Sequence, residues 1–410
     1  MTEKNAKPQL RFAGFDDTWE QRKLGEVGTT YTGLSGKTKE DFGHGNGQFV
    51  TYMNVFSNPV GLPDMTEAVE IDDSQNKVLF GDVLFTTSSE TPEEVGMSSV
   101  WLENAENTYL NSFCFGYRPT VEFNPYYLAY MLRSSSMRKK ITFLAQGISR
   151  YNISKNKMLD IEIPIPKIEE QKQIGSYFRN LDNLITLHQR KYDKLTNVKK
   201  SMLEKMFPKN GSNVPEIRFK GFSDAWEQRK VGELLIERNE QAPMNEEYPL
   251  MAFIANEGVA PKGERYDRSS LVTDTENKLY KRTEFGDFIY SSNNLETGSI
   301  GLNKYGKACI SPVYSIFHPT GIADSNFLGR RLVRKDFINS MVKWRQGVIY
   351  GQWRIHESDF LKIEISVPSV KEQRQIGTFL DYLDNLITLH QRELEKLKNL
   401  KKACLEKMFV

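Results

Sequence analysis

The chain has 410 residues, of which 39% are hydrophobic and 26% charged, with a formal net charge of +2. This length predicts two or three domains of ordinary size, and the composition excludes a disordered or fibrous protein. No stretch approaches the ~18 uninterrupted apolar residues of a membrane span, so we expect a cytoplasmic protein without a membrane partner.

The first distinct element is a frame segment at residues 10–26, LRFAGFDDTWEQRKLGE, which recurs at residues 217–233 as IRFKGFSDAWEQRKVGE. The two copies are identical at 12 of 17 positions. Internal repeats of this kind indicate a duplicated structural unit. We therefore expect the two halves of the chain to share a framework.

The interior of the first half, residues 27–167, contains several motifs. FGHGNGQF, from Phe42, is glycine-rich but matches neither a Walker loop nor a dinucleotide fingerprint, so we predict a flexible loop. GDVLF, from Gly81, predicts a turn and a strand. The polar residues after it form a predicted loop able to contact phosphates or bases. The DNA-contact candidates in this loop are Thr87 and Ser88.

NPYY, from Asn124, shares Asn-Pro with the Asn-Pro-Pro-aromatic signature of adenine amino-methyltransferases but lacks the second proline. A helix start explains it better, with Asn124 as the N-cap and Pro125 at the first helical position.

Residues 134–159 form a basic segment with six lysines and arginines and no acidic residue. Neutralisation of DNA phosphates with counterion release requires such a concentration of charge. Arg can bind guanine, and Asn or Gln adenine, through paired hydrogen bonds in the major groove. The alternative for one such segment is a solvated helix surface. The DNA-contact candidates here are Arg138, Lys139, Lys140, Gln146, Ser149, Arg150, Tyr151, Asn152, Lys155 and Lys157.

Residues 168–207 predict a long helix, because steps of four and three from Ile174 meet eight apolar residues in ten positions. The block recurs at residues 370–409 with 25 of 40 positions identical and the same heptad pattern. A compact domain usually has its entry and exit points close together, so we expect the two helices to run antiparallel as a coiled coil. The predicted arrangement separates two globular domains with pseudo-two-fold symmetry.

The second half begins after a Pro/Gly/Asn linker at residues 208–216 and repeats the order of features. A polar cluster again follows a Gly-Asp turn, and the basic segment 328–355 contains seven lysines and arginines against one acidic residue. The recurrence at matching points favours DNA contact over a solvated surface. The candidates are Ser292, Asn293, Asn294, Arg330, Arg331, Lys343, Arg345, Gln346, Tyr350, Gln352, Trp353 and Arg354.

The frames are conserved between the halves while the interiors 27–167 and 234–369 share only short pieces. Two scaffolds that carry different recognition surfaces would explain this contrast, whereas drift of loops is the simpler alternative. We predict an α+β protein with mixed β-sheets and helices. Its segments are a first recognition domain at 1–167, a long helix at 168–207, a linker at 208–216, a second recognition domain at 217–369 and a second long helix at 370–410.

No catalytic constellation stands out. The cysteines, Cys114, Cys309 and Cys404, are odd in number and scattered, so they indicate neither a disulfide framework nor a zinc site, and we expect no metal. The carboxylates Glu90, Glu93 and Glu94 leave a nuclease centre open, although no lysine pairs with them in a recognisable pattern.

The frame resembles the specificity subunit of type I restriction–modification systems over essentially the whole chain. The resemblance rests on the EQ-x-QIG opening of each long helix, the I-x-IP or I-x-VP strand before it, and the twofold layout. The openings comprise Glu170, Gln171, Gln173, Ile174 and Gly175, and Glu372, Gln373, Gln375, Ile376 and Gly377.

The resemblance implies a non-catalytic subunit that recognises a split, asymmetric target in double-stranded DNA. It implies binding to two methyltransferase subunits and, through them, to motor-nuclease subunits. S-adenosylmethionine, ATP and magnesium would serve those partners rather than this chain. The coil would act as a ruler that holds the half-sites on the order of one DNA helical turn apart.

Two other functions remain open from the sequence. A divergent DNA methyltransferase or nuclease would itself bind S-adenosylmethionine when purified alone. A coiled-coil adaptor that touches only proteins would show no salt-dependent retention of DNA, even with its partner present.

Overall fold

The computed structural model describes residues 7–209, 211–261, 278–293, 295–349 and 352–410. The chain divides into two compact units. Unit 1 comprises the chain up to Arg190 together with Gln391–Val410, and unit 2 comprises Lys191–His390. Each long helix therefore contributes one part to each unit. Among the described residues no helix combines the length and apolar composition that a membrane crossing requires.

Unit 1 contains eleven of the described strands and the helices α1 to α4, followed by the long helix α5. The strands are β1 Glu20–Lys23, β2 Gly28–Thr32, β3 Phe42–Val50, β4 Thr66–Val69, β5 Val83–Thr86, β6 Ser88–Ser89, β7 Ser98–Val100, β8 Thr108–Leu110, β9 Cys114–Pro119, β10 Tyr151–Asn152 and β11 Glu162–Ile165. The helices are α1 Tyr52–Ser57, α2 Pro125–Met131, α3 Ser135–Phe143, α4 Lys155–Leu159 and α5 Ile168–Lys205.

The core of unit 1 lies on an antiparallel sheet in the order β2-β9-β5-β7. Every residue of β5 is buried, and the cross-strand pair Phe85 and Phe115 stacks at 5.2 Å. These rings pack in one cluster with Leu128 of α2 and Phe178 of α5. A second sheet, β4-β3-β8, pairs β3 with β8 in parallel. This mixture of antiparallel and parallel strand pairs with packed helices confirms the predicted α+β class.

Unit 2 repeats the plan with thirteen described strands and helices α6 to α9 before the long helix α10. The strands are β12 Glu227–Lys230, β13 Leu235–Glu237, β14 Gln241–Ala242, β15 Ala252–Ile254, β16 Gly258–Ala260, β17 Tyr280–Thr283, β18 Phe288–Tyr290, β19 Ile300–Leu302, β20 Ala308–Ile310, β21 Ser315–Pro319, β22 Gln346–Ile349, β23 Gln352–Arg354 and β24 Glu364–Val367. The helices are α6 Val231–Leu234, α7 Ser325–Arg331, α8 Lys335–Val342, α9 Glu357–Phe360 and α10 Val370–Lys407.

The framework of the two units is the same, as the repeat predicts. Strands β1 and β11 pair antiparallel in unit 1, and β12 and β24 do so in unit 2. The sheet β13-β21-β18-β19 corresponds to β2-β9-β5-β7. The second sheets differ, because β14-β17-β20 is antiparallel throughout. Divergence is therefore concentrated away from the strands that flank the long helices.

The long helices run antiparallel where their parts meet within a unit. In unit 1, Lys401 of α10 forms an ion pair with Asp182 of α5 at 2.5 Å, and Cys404 contacts Tyr177. In unit 2 the equivalent lysine, Lys199 of α5, pairs with Asp384 of α10 at 2.5 Å. We predict a solvated or partner-facing position for the Lys199–Lys200 and Lys401–Lys402 runs, and for Lys199 and Lys401 this is wrong. Their ammonium groups bind the neighbouring long helix.

The EQ-x-QIG motif explains how each long helix is fixed to its sheet. Glu170 is buried and accepts two hydrogen bonds from Arg11, at 2.7 and 2.9 Å, and one from Trp19 Nε1 at 3.0 Å. Gln171 accepts from the Asn124 backbone N–H and donates to the Pro166 carbonyl. Thus the frame segment and the helix opening, about 150 residues apart in sequence, form one joint. Unit 2 has the corresponding joint through Glu372 and Gln373, which bind Arg218, the backbone N–H of Asp324 and the Pro368 carbonyl. It lacks the tryptophan bond, because Nε1 of the equivalent Trp226 has no hydrogen-bond partner among the described residues.

The start of α2 confirms the interpretation of NPYY as a helix N-terminus. The Asn124 side chain accepts from the Tyr127 N–H at 3.0 Å, and Pro125 occupies the first helical turn. In unit 2, Asp324 caps α7 in the same way. By contrast, the predicted flexible loop at Phe42 is wrong. That glycine-rich segment is part of β3, which pairs with β4 through a register shift between Phe42 and Gly47.

Gly175, the glycine of the EQ-x-QIG motif in α5, has no room for a side chain. A Cβ on Gly175 would lie 2.4 Å from Asn124 Oδ1 and 2.9 Å from Tyr126 Cβ. Gly→Ala within a helix usually stabilises by about 0.5–1 kcal/mol, but the clash reverses this sign. We expect Gly175→Ala to lower the free energy of unfolding by about 1–3 kcal/mol.

Urea denaturation of the full chain measures the effect. The exposed neighbour Ser176 supplies the control, since Ser176→Ala in the same helical turn should change stability by less than about 0.5 kcal/mol. A stabilising Gly175→Ala variant would show that α5 does not pack against α2 as closely as described.

Candidate nucleic-acid interface

The basic segment of unit 1 ends in a tight hairpin after α3. Gln146 N donates to Asn152 O at 2.9 Å, and Asn152 N donates to Gln146 O at 2.8 Å. Gly147 adopts φ +143°, and a Cβ at this position would lie 2.0 Å from the Arg150 carbonyl oxygen. Only glycine fits this turn. The side chains of Ser149 and Arg150 are exposed at its tip.

This hairpin is joined to the polar cluster after the Gly-Asp turn. β10 pairs antiparallel with β6, with Tyr151 opposite Ser89 and Asn152 opposite Ser88. The Ile153 N–H donates to the Thr87 carbonyl at 3.0 Å, and Thr87 Oγ1 donates to the Phe113 carbonyl. The structure thus brings together two candidate clusters that lie about 60 residues apart in sequence. The predicted loop after β5 is in part the short strand β6.

Unit 2 has a hairpin at the equivalent place, formed by β22 and β23 with Gln346 opposite Arg354. The Ile355 N–H donates to Ser292 Oγ at 3.0 Å, which ties the hairpin to the second polar cluster. Ser292 and Asn293 are half-buried, and Arg354 is exposed, 3.9 Å from Glu357. The side chains of Gln346, Gln352 and Trp353 lie outside the described residues. Asn294 and Tyr350 lie outside them entirely.

Four candidate arginines make contacts within the protein. Arg138 donates to the carbonyls of Glu93, Val95 and Gly96 at 2.6–2.8 Å, and burial lowers its pKa to about 10. Its charge is retained at neutral pH, and its donors hold the loop before β7. The other three pair with carboxylates: Arg330 with Asp381 and Asp384, Arg331 with Asp336, and Arg345 with Glu296.

Most of the candidate lysines are more exposed to solvent than these four arginines. Lys139, Lys140, Lys157 and Lys343 are exposed, and Lys155 is half-buried. Lys140 also donates to the Glu162 carbonyl at 3.0 Å. These lysines occur on α3, on α4 and at the end of α8, so each unit presents positive charge near its hairpin.

The family model for the type I restriction modification DNA specificity domain matches residues 16–197 and 223–399. These two matches span most of the chain and one falls on each repeat. The chain belongs to this family. It is a specificity subunit of a type I restriction–modification system with two recognition domains, and its partners are DNA and other subunits of the complex.

Relatives agree with this assignment. The putative type I restriction enzyme MjaX specificity subunit of Methanocaldococcus jannaschii is 23% identical over 94% of this chain and 91% of its own. The MjaVIII specificity subunit from the same organism is 25% identical over 65% of this chain and 66% of its own. Among solved structures, the type I S subunit from M. genitalium has a TM-score of 0.59 at 14% identity, covering 98% of this chain and 99% of that one.

The sequence did not reveal a cleft beside the hairpin of this specificity subunit. The cleft has a volume of about 730 Å³ and is lined by the stacked rings of Tyr52 and Phe56 on α1 and by Phe113 and Arg150. Pairing of β10 with β6 creates it, and no local sequence signal marks α1 as its wall. Glu90 and Glu94 also line it, but the described residues contain no cluster of three groups suited to a metal ion.

Proposed function

We propose that the subunit recognises a split, asymmetric DNA target through two hairpins, Gln146–Asn152 in unit 1 and 346–354 in unit 2. The supporting observation is that both units hold a hairpin against the polar cluster after the Gly-Asp turn while the side chains there differ. A hairpin at the same place in each unit, with different side chains, fits two half-sites of different sequence.

In this proposal the exposed arginines Arg150 and Arg354 contact bases. Arg binds guanine through O6 and N7 in the major groove. Ser149, Asn152 and Gln146 are exposed beside Arg150 and suit further base contacts. The open lysines contact phosphates, which orient the protein on the duplex without specifying sequence. Arg138, Arg330, Arg331 and Arg345 instead support the fold.

The subunit itself would be non-catalytic and cytoplasmic, where its DNA lies. It would bind two methyltransferase subunits and, through them, motor-nuclease subunits, with S-adenosylmethionine, ATP and magnesium bound by those partners. Two copies of one partner subunit require two equivalent binding surfaces on this chain. In support, Leu187 of α5 and Leu389 of α10 are exposed at equivalent positions of the two repeats.

Methylation mapping tests this function. Genomic DNA from cells with the methyltransferase partner, with and without this subunit, is compared for methylated adenine. We expect methylation at one two-part sequence whose halves differ and are separated by unspecified bases, only when the subunit is present. Methylation that does not depend on the subunit, or that occurs at a continuous site, would contradict the proposal.

A further inference from the structure

Two apolar side chains of the unit 1 basic segment are unusually exposed. Ile148 is 96% exposed and Phe143 is 89% exposed, whereas the next large apolar residue in the described part of the chain, Phe285, is 68% exposed. A single exposed apolar residue is common on protein surfaces. Two such residues five positions apart, in the acid-free basic segment 134–159, indicate a surface that is covered in a complex.

The position of Ile148 is fixed by the hairpin. It lies between Gly147, whose turn admits no side chain, and the exposed Ser149 and Arg150. The hairpin is closed by the two hydrogen bonds between Gln146 and Asn152 and is anchored by the bond from Ile153 to Thr87. These bonds fix the backbone on both sides of the tip, and Ile148 is exposed on it next to Ser149 and Arg150.

We propose that Ile148 recognises the 5-methyl group of a thymine in the half-site of unit 1. Thymine alone among the four bases presents a methyl group in the major groove, where apolar side chains contact it. Arg150, Lys139 and Lys157 supply the charge that brings the duplex to this face. This inference rests on the proposed function and adds a specificity-determining residue that makes no hydrogen bond.

The test uses the full subunit with its methyltransferase partner and duplexes carrying the mapped target. Each thymine is replaced in turn by deoxyuridine, which removes only the methyl group. We expect one replacement to weaken binding about fourfold, the value of one buried methyl-sized group. With Ile148→Ala, binding to the thymine duplex weakens to a similar extent, and the same replacement then has no further effect.

Two variants locate the contact. The sensitive thymine should fall in the half of the target whose recognition Arg150→Ala impairs. Val313→Ala removes another exposed apolar side chain, in unit 2, and should leave the discrimination between thymine and uracil unchanged. The melting temperatures of the Arg150→Ala and Val313→Ala variants should match that of the parent chain, because both side chains are exposed.

The inference is overturned if that half-site contains no thymine on either strand. It is also overturned if Ile148→Ala weakens binding to all duplexes equally, because a wedge or a positioning contact would act in that way. Either result leaves a mapped two-part target in place, so the proposed function would stand. A failure to find a two-part target would instead refute the proposed function itself.

Discussion

Replacing Glu170 by alanine is expected to lower the free energy of unfolding of unit 1 by about 3–5 kcal/mol. The carboxylate is almost fully buried and binds the guanidinium of Arg11 through two hydrogen bonds and Trp19 Nε1 through a third. Its removal leaves the largely buried Arg11 charge without its counter-ion. Breaking such a pair costs more than the pair contributes, because the remaining charge stays desolvated.

Denaturation of the full chain, followed by tryptophan fluorescence, measures this loss, since Trp19 lies in the joint. Glu169→Ala is the matched control because Glu169 is the adjacent, exposed carboxylate, and its change should stay within about 0.5 kcal/mol. Equal effects of the two variants would mean that Glu170 does not join the frame segment to α5. Glu372→Ala should produce the corresponding loss in unit 2, where Arg218 is its partner.

Arg150→Ala and Arg354→Ala are each expected to weaken recognition of one half of the target, and not the same half. One lost bidentate contact to a base corresponds to about 1–3 kcal/mol, or roughly a 5- to 150-fold change in affinity. Both arginines are exposed on the hairpins of different units, so their removal should not affect folding.

Competition binding separates the halves. Duplexes altered in one half-site or the other compete with the mapped target for each variant complex, and the variant should stop discriminating in one half only. Arg229→Ala, which removes an arginine of β12 outside both hairpins, should leave both halves unchanged. If Arg150→Ala and Arg354→Ala altered the same half, two separate recognition hairpins would be the wrong description.

Tertiary structure decided which charged residues remain available. Arg138 and Arg150 are equivalent in sequence terms, since both lie in one acid-free segment. In the fold, Arg138 binds three backbone carbonyls from residues about 45 positions away, while Arg150 stays open at the hairpin tip. Likewise, Arg330 of α7 forms ion pairs with Asp381 and Asp384 of α10, because α7 and α10 lie close together in the fold. A charge count along the chain cannot distinguish these cases.

The sequence by itself determined the duplicated framework, the two long helices and the helix start at Asn124, because each depends on a repeat, on local periodicity or on capping. The antiparallel direction of the helices follows from the closeness of the two ends of a compact domain. Only the tertiary structure decided that β6 and β10 form one surface, that α1 walls its cleft, and that Lys199 and Lys401 bind the neighbouring helix. Those contacts join residues about 60 to 220 positions apart in sequence. The geometry of these contacts follows from how sheets and helices pack. A local sequence pattern does not predict that packing.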